Sequence, residues 1–127
     1  MEIELSTQIN ASAEEIYDTW LSSDGHTKMT GGGAIITNSE GDDFSAWDEY
    51  ITGRNIQLEP PHRIIQLWRT SDFSDYDTNS HLEIELKENN GTTNVILTHT
   101  NLPEHGEQYI EGWEEHYFVP MKAYFSK

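Results

Sequence analysis

The chain has 127 residues, one domain's worth of protein with no room for a second core. Asp and Glu number 23 against 7 Lys and Arg, a formal net charge of −16, and a field of that sign repels phosphate backbones and anionic lipid, which excludes nucleic acid and membrane surfaces as partners. With no cysteine there is no disulfide, no thiolate metal site and no Cys nucleophile.

Glu2 to Ile9 alternates, with Ile3, Leu5, Thr7 and Ile9 on one face and Glu2, Glu4, Ser6 and Gln8 on the other, which predicts a half-buried strand. Ser12-Ala13-Glu14-Glu15 is a capping box, and Ile16, Tyr17, Trp20 and Leu21 give the following helix one apolar stripe. Gly25 is expected to end that helix as its C′ residue, with a further helical turn over His26 to Thr30. Gly31-Gly32-Gly33 is read as a flexible entry into a sheet; no Gly-Lys-Ser/Thr follows, so it is no phosphate loop.

From Ala34 to Thr100 the pattern is strand, turn, strand. Ile35 and Ile36 form a short first piece, Glu40-Gly41-Asp42-Asp43 a turn, and Phe44 to Thr52 an aromatic strand. Ile56 to Glu59 stops at Pro60-Pro61, Arg63 to Thr70 is the next strand, and Ser71 to Asn79 reads as a mobile acidic loop, either a lid or a solvated connection. Leu82, Ile84 and Leu86 alternate with Glu83 and Glu85. Asn89-Asn90-Gly91 is a hairpin turn, and Thr93, Val95, Leu97 and His99 share one face of the return strand. Tyr109, Ile110, Trp113, Tyr117, Phe118, Met121, Tyr124 and Phe125 follow a 3.6-residue period, predicting one long helix of about 20 residues. It carries Glu104, Glu107 and Glu111 near its start and Lys122 and Lys127 near its end, and Pro120 is expected to kink it or split off the last turn.

Met1-Glu2-Ile3-Glu4 does not read as a signal peptide and no apolar run is long enough to span a bilayer, so the expected compartment is the cytoplasm, where the N-x-[ST] triplets at Asn10 and Asn90 carry no glycan. Leu, Ile, Val and Phe together supply about a fifth of the chain, so the core is expected to be small and rich in aromatic rings. The acid excess makes the compact state repel itself, and salt screens that repulsion, a composition suited to a salt-rich habitat.

The order β-α(α)-β(5–6)-α is an α+β architecture, an antiparallel sheet covered by one C-terminal helix. A twisted sheet cannot touch one helix along its full width, so the gap is either filled by large side chains or left as a pocket. The candidate ligand lining is Trp20, Trp47, Tyr50, Trp68, Leu97, His99, Trp113, Tyr117 and Met121. His99 is expected either to anchor a polar end or act as a base, or to be a core histidine satisfied by its neighbours. Arg69, if it turns inward, needs a carboxylate partner, either Asp48 or an acid group of the ligand. Six histidines show no metal-ligand spacing and no nucleophile elbow is present, so no metal, cofactor or Ser-His-Asp site is expected.

These residues also carry a resemblance. Ile9-x-Ala11-Ser12-Ala13-Glu14-Glu15-Ile16-Tyr17 with Trp20 is similar to the start of the SRPBCC (START-like, helix-grip) superfamily. Gly41-x-x-Phe44, Tyr50-Ile51-x-Gly53, Glu59-Pro60-Pro61-x-Arg63-Ile64, Trp68-Arg69, Gly91-Thr92-Thr93, Leu97-Thr98-His99 and Gly112-Trp113 with Tyr117 resemble its branch of activator of heat-shock-protein-90 ATPase homologues. The resemblance implies a helix-grip fold, a curved antiparallel sheet packed on the C-terminal helix with a cavity between. It carries over no catalytic residues. The expected function is binding of a small, largely hydrophobic molecule in that cavity. The alternatives are a protein-interaction module that contacts a chaperone, and a cyclase- or hydrolase-type enzyme using the same cavity.

Overall fold

The computed structural model describes residues 1–126, so Lys127, expected at the helix end, lies outside the described residues. The elements are β1 (Ile3–Ile9), α1 (Ala13–Trp20), α2 (Ser23–Thr30), β2 (Asp43–Ala46), β3 (Ile51–Glu59), β4 (Arg63–Thr70), β5 (Ser80–Asn89), β6 (Thr92–Thr100), α3 (Gln108–Trp113), a π-helical turn (Glu114–Phe118) and α4 (Val119–Tyr124). The six strands make one antiparallel sheet in the order β1-β6-β5-β4-β3-β2. Alternation decides its buried face: Ile64, Gln66, Trp68 and Thr70 on β4, Leu82, Ile84 and Leu86 on β5, and Thr93, Val95, Leu97 and His99 on β6 all lie inside. The register aligns these rows, with Leu5 opposite Leu97, Ile84 opposite Leu97 and Leu82 opposite His99. Among the described residues, no helix is long and apolar enough to cross a membrane.

Local chemistry explains most boundaries. Ser12 Oγ accepts the Glu15 N–H at 3.1 Å and opens α1. The hairpin at Asn90 and Gly91 has φ of 54° and 82°, the paired left-handed angles of a tight two-residue turn. Gly25 does not end α1. It stands in the first turn of α2, its N–H held by Ser22 Oγ at 3.1 Å, and a Cβ there would meet the Thr19 carbonyl at 3.0 Å. The glycine thus permits close approach of two helices, and the left-handed C-cap is Gly31, at φ 88°.

Three strand expectations are corrected. Ile35 and Ile36 contribute only an isolated bridge, Ile35 to Ser45. Phe44 to Thr52 is not one strand: Trp47, Asp48 and Glu49 all take positive φ (51°, 56° and 71°), turning β2 back into β3. Ile56 to Glu59 is not a separate strand but the second half of β3, which passes through Gly53, Arg54 and Asn55. A Cβ on Gly53 would strike the Leu67 carbonyl and the Phe44 ring, so this glycine marks close packing in the strand. Asn55 sits at a bulge, fully buried, donating from Nδ2 to the Thr37 and Ser39 carbonyls (2.9 and 3.2 Å) and accepting from Gln66 Nε2 at 2.8 Å.

The C-terminal helix is also different from a single 3.6-residue period. Tyr109, Trp113, Tyr117, Met121 and Phe125, each four residues apart, are buried, whereas Ile110 and Tyr124 are exposed. A spacing of four drifts about 40° per step on an α-helix, so residues 109 and 125 would end up on nearly opposite sides. The π-helical turn absorbs the drift; the Val119 N–H reaches back five residues to the Glu114 carbonyl. Pro120 follows at once. It has no N–H, and its ring would crowd the carbonyl four residues back, a clash that the wider turn relieves.

Candidate functional site

The glycine run and the β2–β3 turn together build one wall of a cleft. A Cβ on Gly32 would fall inside the Trp47 indole, so the bare backbone is a bed for that ring rather than a flexible entry. The Asp48 N–H binds the Gly33 carbonyl at 2.9 Å and fixes the left-handed turn. The opposite wall is the start of the C-terminal helix, and the floor is Trp68 of β4.

The segment after β4 closes one end. Phe73 is buried against Trp68 and Tyr109, with ring centroids at 6.1 and 6.0 Å. Arg69 points neither into the core nor to Asp48. It donates to the Asp77 and Ser74 carbonyls and to Asn79 Oδ1 at 3.0–3.2 Å and lies over the Phe73 ring, so it binds the loop down. Tyr76 at the tip is 97% exposed. Thus the segment is a tied wall with a solvated tip.

The resulting cleft has a volume of about 480 Å³, within the range of small-molecule sites, and is open to solvent. Of the expected lining, Trp47, Tyr50, Trp68, Trp113 and Tyr117 surround it. Trp20, Leu97, His99 and Met121 do not; they lie in the core behind the aromatic layer. Trp20 stacks under Trp113 at 6.4 Å and beside Tyr117 at 5.0 Å, and Trp68 packs on Trp113 at 5.6 Å. The rings therefore fill much of the space between sheet and helix, and the opening is displaced towards the β2–β3 turn.

Sequence reasoning missed Ile51, Asp72, Gln108, Tyr109, Gly112 and His116, which also line the cleft. A signal existed: Gln108, Gly112 and His116 repeat at i, i+4 and i+8, one residue before the buried row of Tyr109, Trp113 and Tyr117. They form the helix stripe next to the core row. Asp72 Oδ2 accepts the Tyr50 hydroxyl at 2.6 Å and Gln108 Nε2 at 3.2 Å, and Tyr109 shares a 2.5 Å bond with Thr70 Oγ1. Burial, and then the bond to Asp72, push the Tyr50 phenol well above its ordinary range, so it stays a donor.

His99 is close to a serine, and the direction of its hydrogen bonds settles what the pair can do. Ser80 Oγ gives its proton to the Trp68 carbonyl at 2.7 Å, so at the 2.7 Å contact with His99 Nε2 the ring nitrogen is the donor. Nδ1 then accepts from Trp113 Nε1 at 3.1 Å. A general base must accept from the nucleophile, and this imidazole does the reverse. Both residues have no exposed surface, and burial, with a smaller contribution from His81, pulls His99 down to about 3. His99 is a satisfied core histidine.

His26, which sequence reasoning did not single out, has the same character. Nδ1 donates to the Trp20 carbonyl and Nε2 accepts from the Tyr117 hydroxyl, both at 2.9 Å. Burial lowers the imidazole and raises the phenol. Among the described residues, no group of three or more His, Asp or Glu side chains is placed to hold a metal ion.

Comparison with known proteins follows the same lines. A family model described as activator of Hsp90 ATPase homolog 1-like protein matches residues 10–126. The activator of 90 kDa heat shock protein ATPase homolog of Dictyostelium discoideum is 27% identical over 126 residues, covering 98% of this chain and 33% of the relative. The chain thus spans about a third of the length of that curated relative. An HSP90 activator from Plasmodium falciparum superposes with a TM-score of 0.89 at 21% identity, over 98% of this chain and 95% of that one. The Aha1 dimer from Colwellia psychrerythraea gives 0.81 at 17% identity, over 99% and 97%. CalU16 from Micromonospora echinospora gives 0.80 at 19% identity, over 98% and 76%. At these identities the structural likenesses show the fold.

Proposed function

The chain belongs to the activator of Hsp90 ATPase homolog 1-like family of START-like domains, and on that basis we propose that it binds a small, largely apolar molecule in the cleft between the β2–β3 turn and the C-terminal helix. The observation that carries this reading is Gly112. It stands inside α3, where glycine costs about 1 kcal/mol relative to alanine, yet a Cβ there would meet nothing within 4 Å. No packing demand explains it; the residue borders the cleft, and its missing side chain keeps space open beside Trp113.

Gly112→Leu tests this directly. The variant is expected to keep the native circular dichroism and a Tm at or above that of the parent, because it removes a helix glycine without a clash. It should lose binding of the neutral apolar dye N-phenylnaphthylamine, followed by tryptophan quenching and dye emission. Unchanged dye binding in a folded Gly112→Leu protein would place the molecule elsewhere and refute the proposal.

A second reading is contact with a 90 kDa chaperone, favoured by the 27% identity with the curated activator. Its measurement is the ATPase rate of that chaperone with and without equimolar protein. Stimulation that survives Gly112→Leu would assign the activity to an outer surface; no stimulation would dismiss it.

A further inference from the structure

If the cleft takes a small molecule, its walls restrict the charge of that molecule. Among the described residues that line it there is no Lys or Arg, and Asp72 is the sole carboxylate. Two donors, the Tyr50 hydroxyl and Gln108 Nε2, hold that carboxylate in place, both through Oδ2. Among the described residues Oδ1 accepts no hydrogen bond, so one face of the anion remains available. His116 also stands at the rim, set edge-on to Trp47 at 5.4 Å with planes 70° apart. Below this rim lie Trp68, Tyr109, Trp113 and Tyr117, buried residues whose rings border the cleft.

Three kinds of occupant fare differently here. An anion meets Asp72 and the field of a chain with net charge −16, and finds no cation to pair with. A neutral apolar molecule satisfies the rings but gains nothing from the carboxylate beside them. A cation is attracted both by the carboxylate and by the negative faces of the indole and phenol rings, and an alkylated ammonium also buries its methyl groups against them. Resting on the small-molecule reading of the cleft, we propose that its occupant carries an organic cation, a tertiary or quaternary ammonium, seated over the aromatic floor and facing Asp72.

The probes are choline, its uncharged carbon isostere dimethylbutanol, and the matching anion dimethylbutanoate, each competed against N-phenylnaphthylamine on the full chain at pH 8. Measurement at about 1 M NaCl shortens the screening length to roughly 3 Å, so the long-range field of the chain no longer contributes. Choline is expected to bind roughly tenfold more tightly than dimethylbutanol, with dimethylbutanoate weakest. Asp72→Asn should bring choline and dimethylbutanol to within about twofold of each other, and Asp72→Glu should restore the preference. Equal binding of choline and its isostere, or failure of all three probes while the dye binds, would overturn the cation assignment alone, and a preference that survives Asp72→Asn would overturn the seat facing Asp72. Failure of the dye on the parent protein would remove the cleft reading as well.

Discussion

Two buried imidazoles, at His26 and His99, sit among tryptophan and tyrosine rings with every ring nitrogen engaged. Both are held below the ordinary histidine range by burial, His99 to about 3. The sign of the linkage follows. Below about pH 6.5 the unfolded chain takes up a proton at each of these sites that the folded chain refuses, so stability is complete above that pH and falls as pH drops towards 3. For His99 the expected loss between pH 7 and pH 5 is roughly 2 kcal/mol, with His26 acting in the same direction. Urea unfolding at the two pH values checks this, and His99→Gln should flatten the slope. A parent protein equally stable at both would contradict the neutral-imidazole core. The strand alternation from Thr93 to His99 already placed this ring on the buried face. Its partners, Ser80 and Trp113, come from 19 and 14 residues away, and no local pattern announces them.

At the scale of elements, legibility tracks how local the cause is. The alternating strands, the Ser12 cap and the Asn90-Gly91 hairpin depend on interactions within a few residues, and all three stand where the pattern put them. The elements read wrongly are governed by contacts across the fold. Trp47 to Glu49 lie inside a segment read as an aromatic strand yet take left-handed angles, which lay the β-prone Trp47 on the Gly32 backbone. Gly25 looks like a helix stop and is a helix–helix contact. The long helix has the apolar content of one continuous α-helix, but its buried row is spaced by four, and only the π-helical turn before Pro120 keeps that row on the sheet. Of the cleft-rim stripe, Gln108 and Gly112 precede this turn in α3 and His116 lies within it.

Across the whole molecule the net charge of −16 is spread over a surface whose ion pairs, such as Asp43–Arg54 and Asp24–Lys28, are largely exposed. Each such pair contributes little, so the self-repulsion of the excess carboxylates outweighs them. Raising KCl from about 0.1 M to about 2 M should therefore raise Tm by several degrees, with most of the gain in the first molar as screening saturates. A Tm that stays level or falls over that range would show that the exposed pairs carry more stability than the repulsion removes.

The amino-acid order by itself determined the α+β class, the two faces of β1, β5 and β6 and the sign of the electric field, because each is a sum or a period over neighbouring residues; the family was legible only as a resemblance of motifs in their order. Tertiary structure alone decided that the aromatic layer closes the middle of the grip and leaves its opening beside the β2–β3 turn. That outcome depends on the left-handed turn, the π-helical phase and the anchoring of Asp72 by Tyr50 and Gln108, which join segments far apart in the chain and exist only once the sheet and helix have met.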